Sequence, residues 1–420
     1  MEAFGLKYDL IVAGGGFTGV AGAVAAAREG AKVLLIERYG FLGGAACACY
    51  VNPFMRYTLK TEQGTELLSK GIFEEILDRL DALGGLKENR DTFSEELLKL
   101  VLDRLTKEAG VKVLFHSYLQ AVHKEGKHIT SVRVVNKSGT MELAADYFID
   151  ATGDADLSAL AGCPYHVGRE ADQLCQPMTL CFRLANVDME AFKRVRPKIN
   201  GIYQQFQREG KIKNPREDVL IFYHVSDGVI HFNSTRVVKL SPLDAFDLSE
   251  TERRAREQVY ELYRFMKDNI EGFENCTLLA SAPQTGVRES RMVDGVYTLT
   301  EEDLCGCRKF EDSIACGNYG VDIHSPDGSG THRRLLPHTD YYTIPYRSLL
   351  PKGADNLLVA GRCISSTHEA QSGYRIMPIC CCIGEAAGLA AGLALQSNCM
   401  PAEISVEKLH ERMDHYNCRY

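Results

Sequence analysis

Tyr8-Asp-Leu-Ile-Val-Ala-Gly-Gly-Gly-Phe-Thr-Gly19 is the stretch that decides the fold. It predicts an apolar strand over Tyr8–Ala13, three glycines at fixed offsets and a helix of small residues over Phe17–Arg28. A second strand over Lys32–Glu37 completes a βαβ unit. In such a unit the first glycine allows a tight turn, the second lets backbone approach a pyrophosphate, and the third lets helix and strand pack closely. The stretch therefore predicts a Rossmann-type dinucleotide-binding unit.

The contacts expected of this unit lie at its turn and at the end of its second strand. The helix N-terminus presents free N–H groups and the positive end of the helix dipole to phosphates. The acid that ends the second strand has the spacing expected for a carboxylate that binds the hydroxyls of an adenosine ribose. NAD and FAD share this fingerprint, so these residues alone leave both ligands open. The predicted contacts are Gly14, Gly16, Phe17, Thr18, Gly19 and Glu37.

Later segments of the chain favour FAD. The arginine after the ribose acid is placed on the adenine, and a glycine pair follows where a flavoprotein chain crosses the pyrophosphate and ribityl. Two further strands end in glycine turns, one at 151–154 and one at 361–362. A second G-x-G-x-x-G between strand and helix is absent, so no separate NADH domain is predicted. The predicted FAD contacts here are Arg38, Gly43, Gly44, Ala45, Leu119, Ala151, Thr152, Gly153, Asp154, Gly361 and Arg362.

Two blocks carry a resemblance to a known family: Gly361-Arg-Cys-Ile-Ser-Ser-Thr-His-Glu-Ala-Gln-Ser-Gly-Tyr-Arg-Ile-Met-Pro378 and Thr285-Gly-Val-Arg-Glu-Ser-Arg291. Together with the glycine motif they resemble, over essentially the whole chain, the FAD-dependent oxidoreductase family of the glutathione-reductase-like flavoprotein superfamily. That family is related to fumarate reductase flavoproteins and thiazole synthases. The resemblance implies FAD as the cofactor and redox chemistry on a small organic substrate.

A proline suits the first turn of a helix, so a helix is predicted to start near Pro378. The resemblance implies that its positive end lies near flavin N1 and O2, where reduction places negative charge. The backbone contacts implied there are Ile376, Met377 and Ile379. A plain core helix would explain the same Ala and Gly content.

A flavoenzyme must also hold its substrate and manage a proton. Arg288, Arg291 and Arg375 could each clamp a carboxylate bidentately, with a structural salt bridge as the alternative for each. Two histidines are predicted as acid/base groups because histidine titrates near neutral pH, although structural histidines are the alternative. The predicted catalytic residues are His324, Arg375, His368 and Arg288, and the lesser candidates are Tyr319 and Tyr374. Cys47 and Cys49 could be redox partners or a covalent attachment point for the flavin, with small buried thiols as the alternative.

The order of elements indicates an α/β chain of two domains. Residues 1–162 and 352–420 are predicted to form a discontinuous Rossmann-type FAD-binding domain, because a strand at Leu357–Ala360 and a small-residue helix return late in the chain. Residues 163–351 are predicted to be an inserted α+β substrate domain with an antiparallel sheet and one long polar helix near 249–267. Amphipathic helices are predicted near 65–83 and 94–108, the second with Ser94 as its N-cap.

Composition limits the partners and the location. The chain has 420 residues, a net charge of −8 and no basic run, which argues against a nucleic-acid partner. The N-terminus lacks a signal-peptide pattern, and the apolar stretch 377–395 is interpreted as a core helix rather than a membrane span, so a cytoplasmic location is predicted. The fifteen cysteines are predicted to be reduced, and their spacing predicts no metal site.

The sequence thus predicts an FAD-dependent oxidoreductase that transfers a hydride between flavin N5 and a small polar metabolite. Oxidation of an alcohol or amine and reduction of a C=C bond are both compatible with it. Two alternatives remain: an electron-transfer flavin subunit that serves a redox partner protein, and a non-redox dinucleotide-binding biosynthetic enzyme of the thiazole-synthase type. A homodimer is expected only because homodimers are the commonest oligomers of soluble proteins.

Overall fold

The computed structural model describes residues 7–328 and 330–420. The prediction that the N-terminus lacks a signal peptide depends in part on residues 1–6, which lie outside the described residues. The strands are β1 Tyr8–Ala13, β2 Val33–Ile36, β3 Thr58–Thr61, β4 Gly64–Leu67, β5 Lys112–Leu114, β6 Tyr118–Glu125, β7 His128–Asn136, β8 Gly139–Asp150, β9 Tyr165–Val167, β10 Phe182–Ala185, β11 Ile221–Tyr223, β12 Ile230–Phe232, β13 Thr277–Ser281, β14 Arg291–Val293, β15 Ser313–Gly317, β16 Val321–His324, β17 Thr331–Arg334, β18 Tyr342–Pro345 and β19 Leu357–Val359. The helices are α1 Phe17–Arg28, α2 Ala45–Ala48, α3 Ile72–Ala82, α4 Glu95–Glu108, α5 Asp156–Leu160, α6 Met189–Arg208, α7 Ala245–Asn269, α8 Glu301–Cys305, α9 His368–Tyr374, α10 Met377–Ser397 and α11 Val406–His415, with 3-10 turns at Tyr346–Leu349 and Pro401–Glu403.

A sheet of seven strands positions the glycine motif. Strands β5, β2, β1, β8 and β19 are parallel in that order. The first half of the long β8 pairs antiparallel with β7, which pairs with β6. In the parallel part the carboxyl ends of the strands meet at one edge, which is where open α/β sheets bind ligands. The chain is therefore a mixed α/β protein, with the glycine turn at this edge.

Helices α1 and α10 pack against each other through glycines. A Cβ added at Gly384 would lie 2.1 Å from the carbonyl oxygen of Thr18, and one at Gly388 would lie 2.2 Å from that of Gly22. By length and composition α10 could cross a membrane, but 94% of its apolar window is buried inside the protein. The contact places Gly384, about two turns into α10, next to the start of α1.

A second hydrophobic core lies within residues 180–282. Its antiparallel sheet has the order β11-β12-β10-β13, and helices α6 and α7 contribute side chains to the same core. Residues 293–350, which the sequence analysis assigned to the same domain, contribute to the first core instead. The proposed domain bounds themselves remain a prediction.

The sequence analysis expected one long helix in this region, and the structure has two. Helix α6 buries Phe192, Val195 and Ile199, which follow the helical spacing that would have revealed it. Pro197 lies inside the helix, and an internal proline usually argues against one.

The helix expected near 65–83 begins later, at Ile72. Residues 58–67 form the β3–β4 hairpin, and the amide of Lys60 donates to the carbonyl of His338 at 2.8 Å. This contact with a distant segment adds to the local pairing of β3 with β4, and the local pattern alone did not show it.

Ser94 caps α4 as predicted, and its hydroxyl accepts a hydrogen bond from the amide of Leu97 at 3.4 Å. We expect Ser94→Ala to lower the free energy of unfolding by about 1 kcal/mol, because an N-cap side chain satisfies an otherwise unpaired amide. Urea unfolding would measure the change. Ser94→Thr keeps a capping oxygen and serves as the control, so an equal loss in both variants would contradict the capping role.

Candidate functional site

A cavity of about 870 Å³ lies at the carboxyl edge of the parallel strands. This volume is within the range of small-molecule and cofactor sites. Most of the predicted cofactor residues line the cavity: Gly14, Gly16, Phe17, Thr18, Glu37, Arg38, Gly43, Gly44, Ala45, Leu119, Ala151, Thr152, Gly153, Asp154, Gly361, Arg362 and Met377. The structure therefore brings the separate sequence motifs to one continuous surface.

The three glycines at positions 14, 16 and 19 are each required for a different physical reason. Gly14 has a φ of +98°, and a Cβ there would lie 2.4 Å from the carbonyl oxygen of Ala151. A Cβ at Gly19 would lie 1.7 Å from the carbonyl oxygen of Gly14, so Gly19 serves helix–strand packing and does not line the cavity. Gly16 faces the cavity, and the nearest atom to its added Cβ is Gly44 Cα at 3.8 Å. Only Gly16 thus keeps space free for a ligand rather than for the protein itself.

Glu37 is almost fully buried at the end of β2. Its carboxylate accepts hydrogen bonds from the amides of Gly15 at 2.6 Å and Tyr39 at 2.8 Å. Burial raises the pKa of Glu37, and the two amides oppose that effect. The carboxylate thereby ties the glycine turn to β2, while its remaining lone pairs are available to hydroxyl groups in the cavity.

Two arginines that line the cavity each have a side-chain N–H group without a partner among the described residues. Arg362 pairs with Asp154 at 2.6 Å, and Arg291 donates to the Asp154 carbonyl at 2.8 Å and to Asp156 at 2.9 Å. The buried Nε atoms of both arginines have no partner among the described residues. Buried donors are normally satisfied, so these two fit an anionic group such as a pyrophosphate.

The start of α10 also faces the cavity. The helix begins at Met377, and Pro378 is its second residue, where a missing N–H costs nothing. Met377 and Cys380 line the cavity, whereas Ile376 and Ile379 do not. The positive end of this helix therefore lies at the cavity, although two of the three predicted positions contribute no surface to it.

Arg375 and Arg288 lie together behind this end of the cavity. Arg375 lines it and donates to the carbonyls of Arg288 at 3.4 Å and Asp322 at 3.1 Å. Arg288 does not line the cavity; it donates to the Pro177 carbonyl at 2.7 Å and to side-chain oxygens of Thr179 and Asn233, at 2.6 and 3.2 Å. Burial, reinforced by the charges of Arg375 and Arg216, lowers the pKa of Arg288 to about 9.

His324 is held on both sides by the protein and does not line the cavity. Its Nδ1 accepts a hydrogen bond from Arg236 at 3.1 Å, and its Nε2 lies 3.6 Å from Asp322. Burial, followed by the charge of Arg288, lowers the pKa of His324 to about 3, so the ring is neutral at neutral pH. This arrangement favours the structural alternative for His324.

His368 is the first residue of α9 and is also buried away from the cavity. Its Nδ1 lies 2.6 Å from the carboxylate of Glu289, which is completely buried. The other oxygen of Glu289 accepts the amide of Gln176 at 2.9 Å. The His368–Glu289 pair connects the segment 285–291 to α9, so its evident role is structural.

The lesser candidates occupy similar positions. Tyr319 donates to Asp322 at 2.9 Å, and the fully buried Tyr374 hydroxyl lies 2.7 Å from that of Ser366. Of the two cysteines, Cys49 lines the cavity and Cys47 does not. Burial raises the pKa of the Cys49 thiol to about 11, so the thiol is protonated at neutral pH and a poor nucleophile.

Several cavity residues were not predicted from the sequence: Tyr39, Ser117, Tyr118, Asp156, Leu160, Leu243, Gln284 and Val287. Gln284 and Val287 adjoin or belong to the block at 285–291, which was a usable signal. The residues from α5 and from the start of α7 reach the cavity only through tertiary contacts, so no local signal marks them. In the described part of the chain, no group of three or more His, Cys, Asp or Glu side chains is arranged to hold a metal ion.

Comparison with known proteins identifies the family. The profile of the FAD dependent oxidoreductase family matches residues 9–413. The chain belongs to this family. FAD is therefore its cofactor, and the protein is an FAD-dependent oxidoreductase.

One solved structure shares the fold at low sequence identity. A geranylgeranyl bacteriochlorophyll reductase-like protein from Thermoplasma acidophilum has 15% identity and a TM-score of 0.51, over 97% of this chain and 83% of that one. The flavin-dependent brominase Bmp2 triple mutant has 12% identity and a TM-score of 0.47, over 98% and 85% of the two chains. No curated protein sequence matches this chain significantly.

Proposed function

We propose that this FAD-dependent oxidoreductase transfers a hydride between flavin N5 and a small polar metabolite bound at the Arg375 end of the cavity. One observation carries the proposal: a single cavity runs from Glu37 and Arg38 to Arg375 and the start of α10. Bound FAD supplies an N5 position that accepts or donates a hydride. The glycine cradle and the free Nε atoms of Arg291 and Arg362 support FAD in this cavity.

We assign the adenosine end of the cofactor to Glu37 and Arg38 and its pyrophosphate to Gly16, Arg291 and Arg362. Charge and space support these assignments, because the two arginines keep free donors and Gly16 leaves room for a phosphate. The redox end is then bounded by Cys49, Gln284, Val287, Arg375 and Met377. The positive end of α10 stabilises negative charge at that end.

We also propose that residues 163–351 form a substrate domain inserted into the FAD-binding domain, as in the glutathione-reductase-like superfamily. The separate core at residues 180–282 and the return of β19 to the first sheet support this organisation. The small-molecule substrate, the homodimer, the redox partner protein and the cytoplasmic location remain predictions.

At the redox end of the cavity, Arg375 is placed to orient a substrate. Neither predicted histidine is placed to transfer a proton there. Arg375 is a half-buried cation at the cavity, and no carboxylate of the described residues forms an ion pair with it. His324 and His368 are both engaged by other protein groups. We therefore assign substrate orientation to Arg375 and leave the proton to exchange with a group that lines the cavity or with water.

An absorption spectrum of the purified protein, followed by acid precipitation, tests the cofactor assignment. We expect a flavin spectrum and free FAD in the supernatant, because the protonated Cys49 thiol does not favour a covalent bond. Anaerobic addition of candidate substrates should then bleach the flavin. A colourless protein that takes up no added FAD would contradict the proposal. Flavin that stays in the pellet in the wild type but not in Cys49→Ala would establish a covalent bond at Cys49.

A further inference from the structure

Two exposed apolar side chains line the cofactor cavity, those of Tyr118 and Leu160. They are 54% and 42% exposed. In the described part of the chain, the other large apolar side chains that are exposed lie outside this lining. Single exposed apolar residues are common on protein surfaces, but two of them at one cavity indicate a surface that a ligand covers.

Both side chains belong to the Glu37 end of the cavity. The amide of Ser117 donates to the carbonyl of Glu37 at 3.0 Å, so Tyr118 begins β6 beside the end of β2. Helix α5, which ends at Leu160, packs against β6. The adenosine of the cofactor is assigned to this end, so the two apolar side chains lie where its adenine base is expected.

Helix α5 connects this apolar surface to the residues assigned to the pyrophosphate. Its first residue, Asp156, accepts a hydrogen bond from Arg291 at 2.9 Å. Leu160 lies four residues later, which is about 6 Å along a helix axis. In a dinucleotide one ribose separates the base from the phosphate, and this is a similar distance. The spacing of charged and apolar residues along α5 therefore matches a nucleotide whose base lies on the apolar side.

We propose that Tyr118 stacks on the adenine of FAD and that Leu160 packs against the same base, so that this surface makes the protein select the dinucleotide over FMN. This inference rests on the cofactor placement proposed above and extends it from the ribose and pyrophosphate to the base. A tyrosine ring offers a flat apolar face to a heteroaromatic base, and stacking of this kind contributes strongly to nucleotide binding. FMN lacks the adenosine half, so it would leave both side chains uncovered.

Isothermal titration calorimetry of the full-length apoprotein with FAD, ADP and FMN tests the proposal. We expect Tyr118→Ala to weaken the binding of FAD and of ADP by about tenfold each, which corresponds to the loss of one stacked base, and to leave FMN binding unchanged. Tyr118→Phe should bind all three ligands as the wild type does, because stacking needs the ring and not the hydroxyl. Leu160→Ala should weaken FAD and ADP binding in the same direction.

Tyr118→Trp gives an independent signal, because the chain contains no tryptophan. ADP carries no flavin, so quenching of this single tryptophan by ADP would report contact with the adenine. Inorganic pyrophosphate, which has no base, should leave the fluorescence unchanged.

Tyr260→Ala and Leu100→Ala are the matched controls, since these side chains are 57% and 38% exposed and lie outside the cavity lining. Both variants should bind the three ligands as the wild type does. The inference is overturned if Tyr118→Ala binds FAD and ADP as the controls do, if it loses FMN binding to the same extent, or if ADP leaves the fluorescence of Tyr118→Trp unchanged. Wild-type protein that binds neither FAD nor ADP would overturn the proposed function as well, so the two failures are distinguishable.

Discussion

Gly16→Val is expected to abolish most FAD binding while leaving the fold intact. A Cβ at Gly16 meets no atom closer than Gly44 Cα at 3.8 Å, so the apoprotein tolerates a side chain there. The methyl groups of valine extend into the cavity, where the backbone is expected to approach the pyrophosphate. Overpacking of this kind costs about 1–3 kcal/mol, and its upper end corresponds to about a 100-fold loss of FAD affinity.

FAD titration of the apoprotein by fluorescence would measure the affinity, and its melting temperature would report the fold. Gly16→Ala should have a smaller effect than Gly16→Val, because its single methyl group intrudes less. Gly201→Ala is the control, since Gly201 lies exposed on α6 with no atom within 4 Å of its added Cβ. If Gly16→Val took up FAD as the wild type does, the pyrophosphate would lie elsewhere.

Glu385→Gln is expected to remove a pH dependence from the stability of the protein. Glu385 lies on α10, is 2% exposed, and accepts the amide of Ile72 at 2.9 Å. Burial raises its pKa from 4.5 to about 7, against the opposing effect of that amide. Arg28, Glu75 and Cys418 are the other groups that act on it.

The sign of the change in stability with pH follows from proton binding. Between pH 4.5 and about 7 the folded protein holds the proton and the unfolded chain does not, so stability falls as the pH rises through this window. One pKa unit corresponds to about 1.4 kcal/mol, so this group makes the protein about 3 kcal/mol less stable at pH 8 than at pH 4. Glutamine keeps an acceptor for Ile72 and carries no charge, so the variant should be more stable than the wild type at pH 8.

Urea unfolding of the wild type and of Glu385→Gln across this pH range would give the free energy of unfolding of each protein as a function of pH, and the two curves would then be compared. Glu411→Gln, an exposed position on α11, is the control and should give a curve parallel to the wild type. Parallel curves for Glu385→Gln as well would show that Glu385 ionises in the folded protein as it does in the unfolded chain.

Many of the residues that line the cavity could be predicted because their signals are local. The strand, the glycines and the helix of the first motif follow one another within residues 8–28, and the Ser94 cap acts within a single turn. Local backbone geometry depends on neighbouring residues, so glycines at fixed offsets and a capping serine can be interpreted without the rest of the fold. Seventeen of the predicted cofactor residues accordingly line one cavity.

The catalytic candidates were harder to assign because their chemistry depends on distant partners. His324 is held by Arg236 and His368 by Glu289, which are 88 and 79 residues away in the chain. Tyr118 and Leu160, in contrast, had no motif to mark them, and only their exposure at the cavity reveals them.

By itself, the sequence determined the βαβ unit and the cofactor class, since these follow from residue type and spacing along the chain. The tertiary structure alone decided which charges are compensated, which histidines are engaged and why the pKa of Glu385 is raised. Desolvation and ion pairing depend on what surrounds a group in space, and residues far apart in the sequence supply those surroundings.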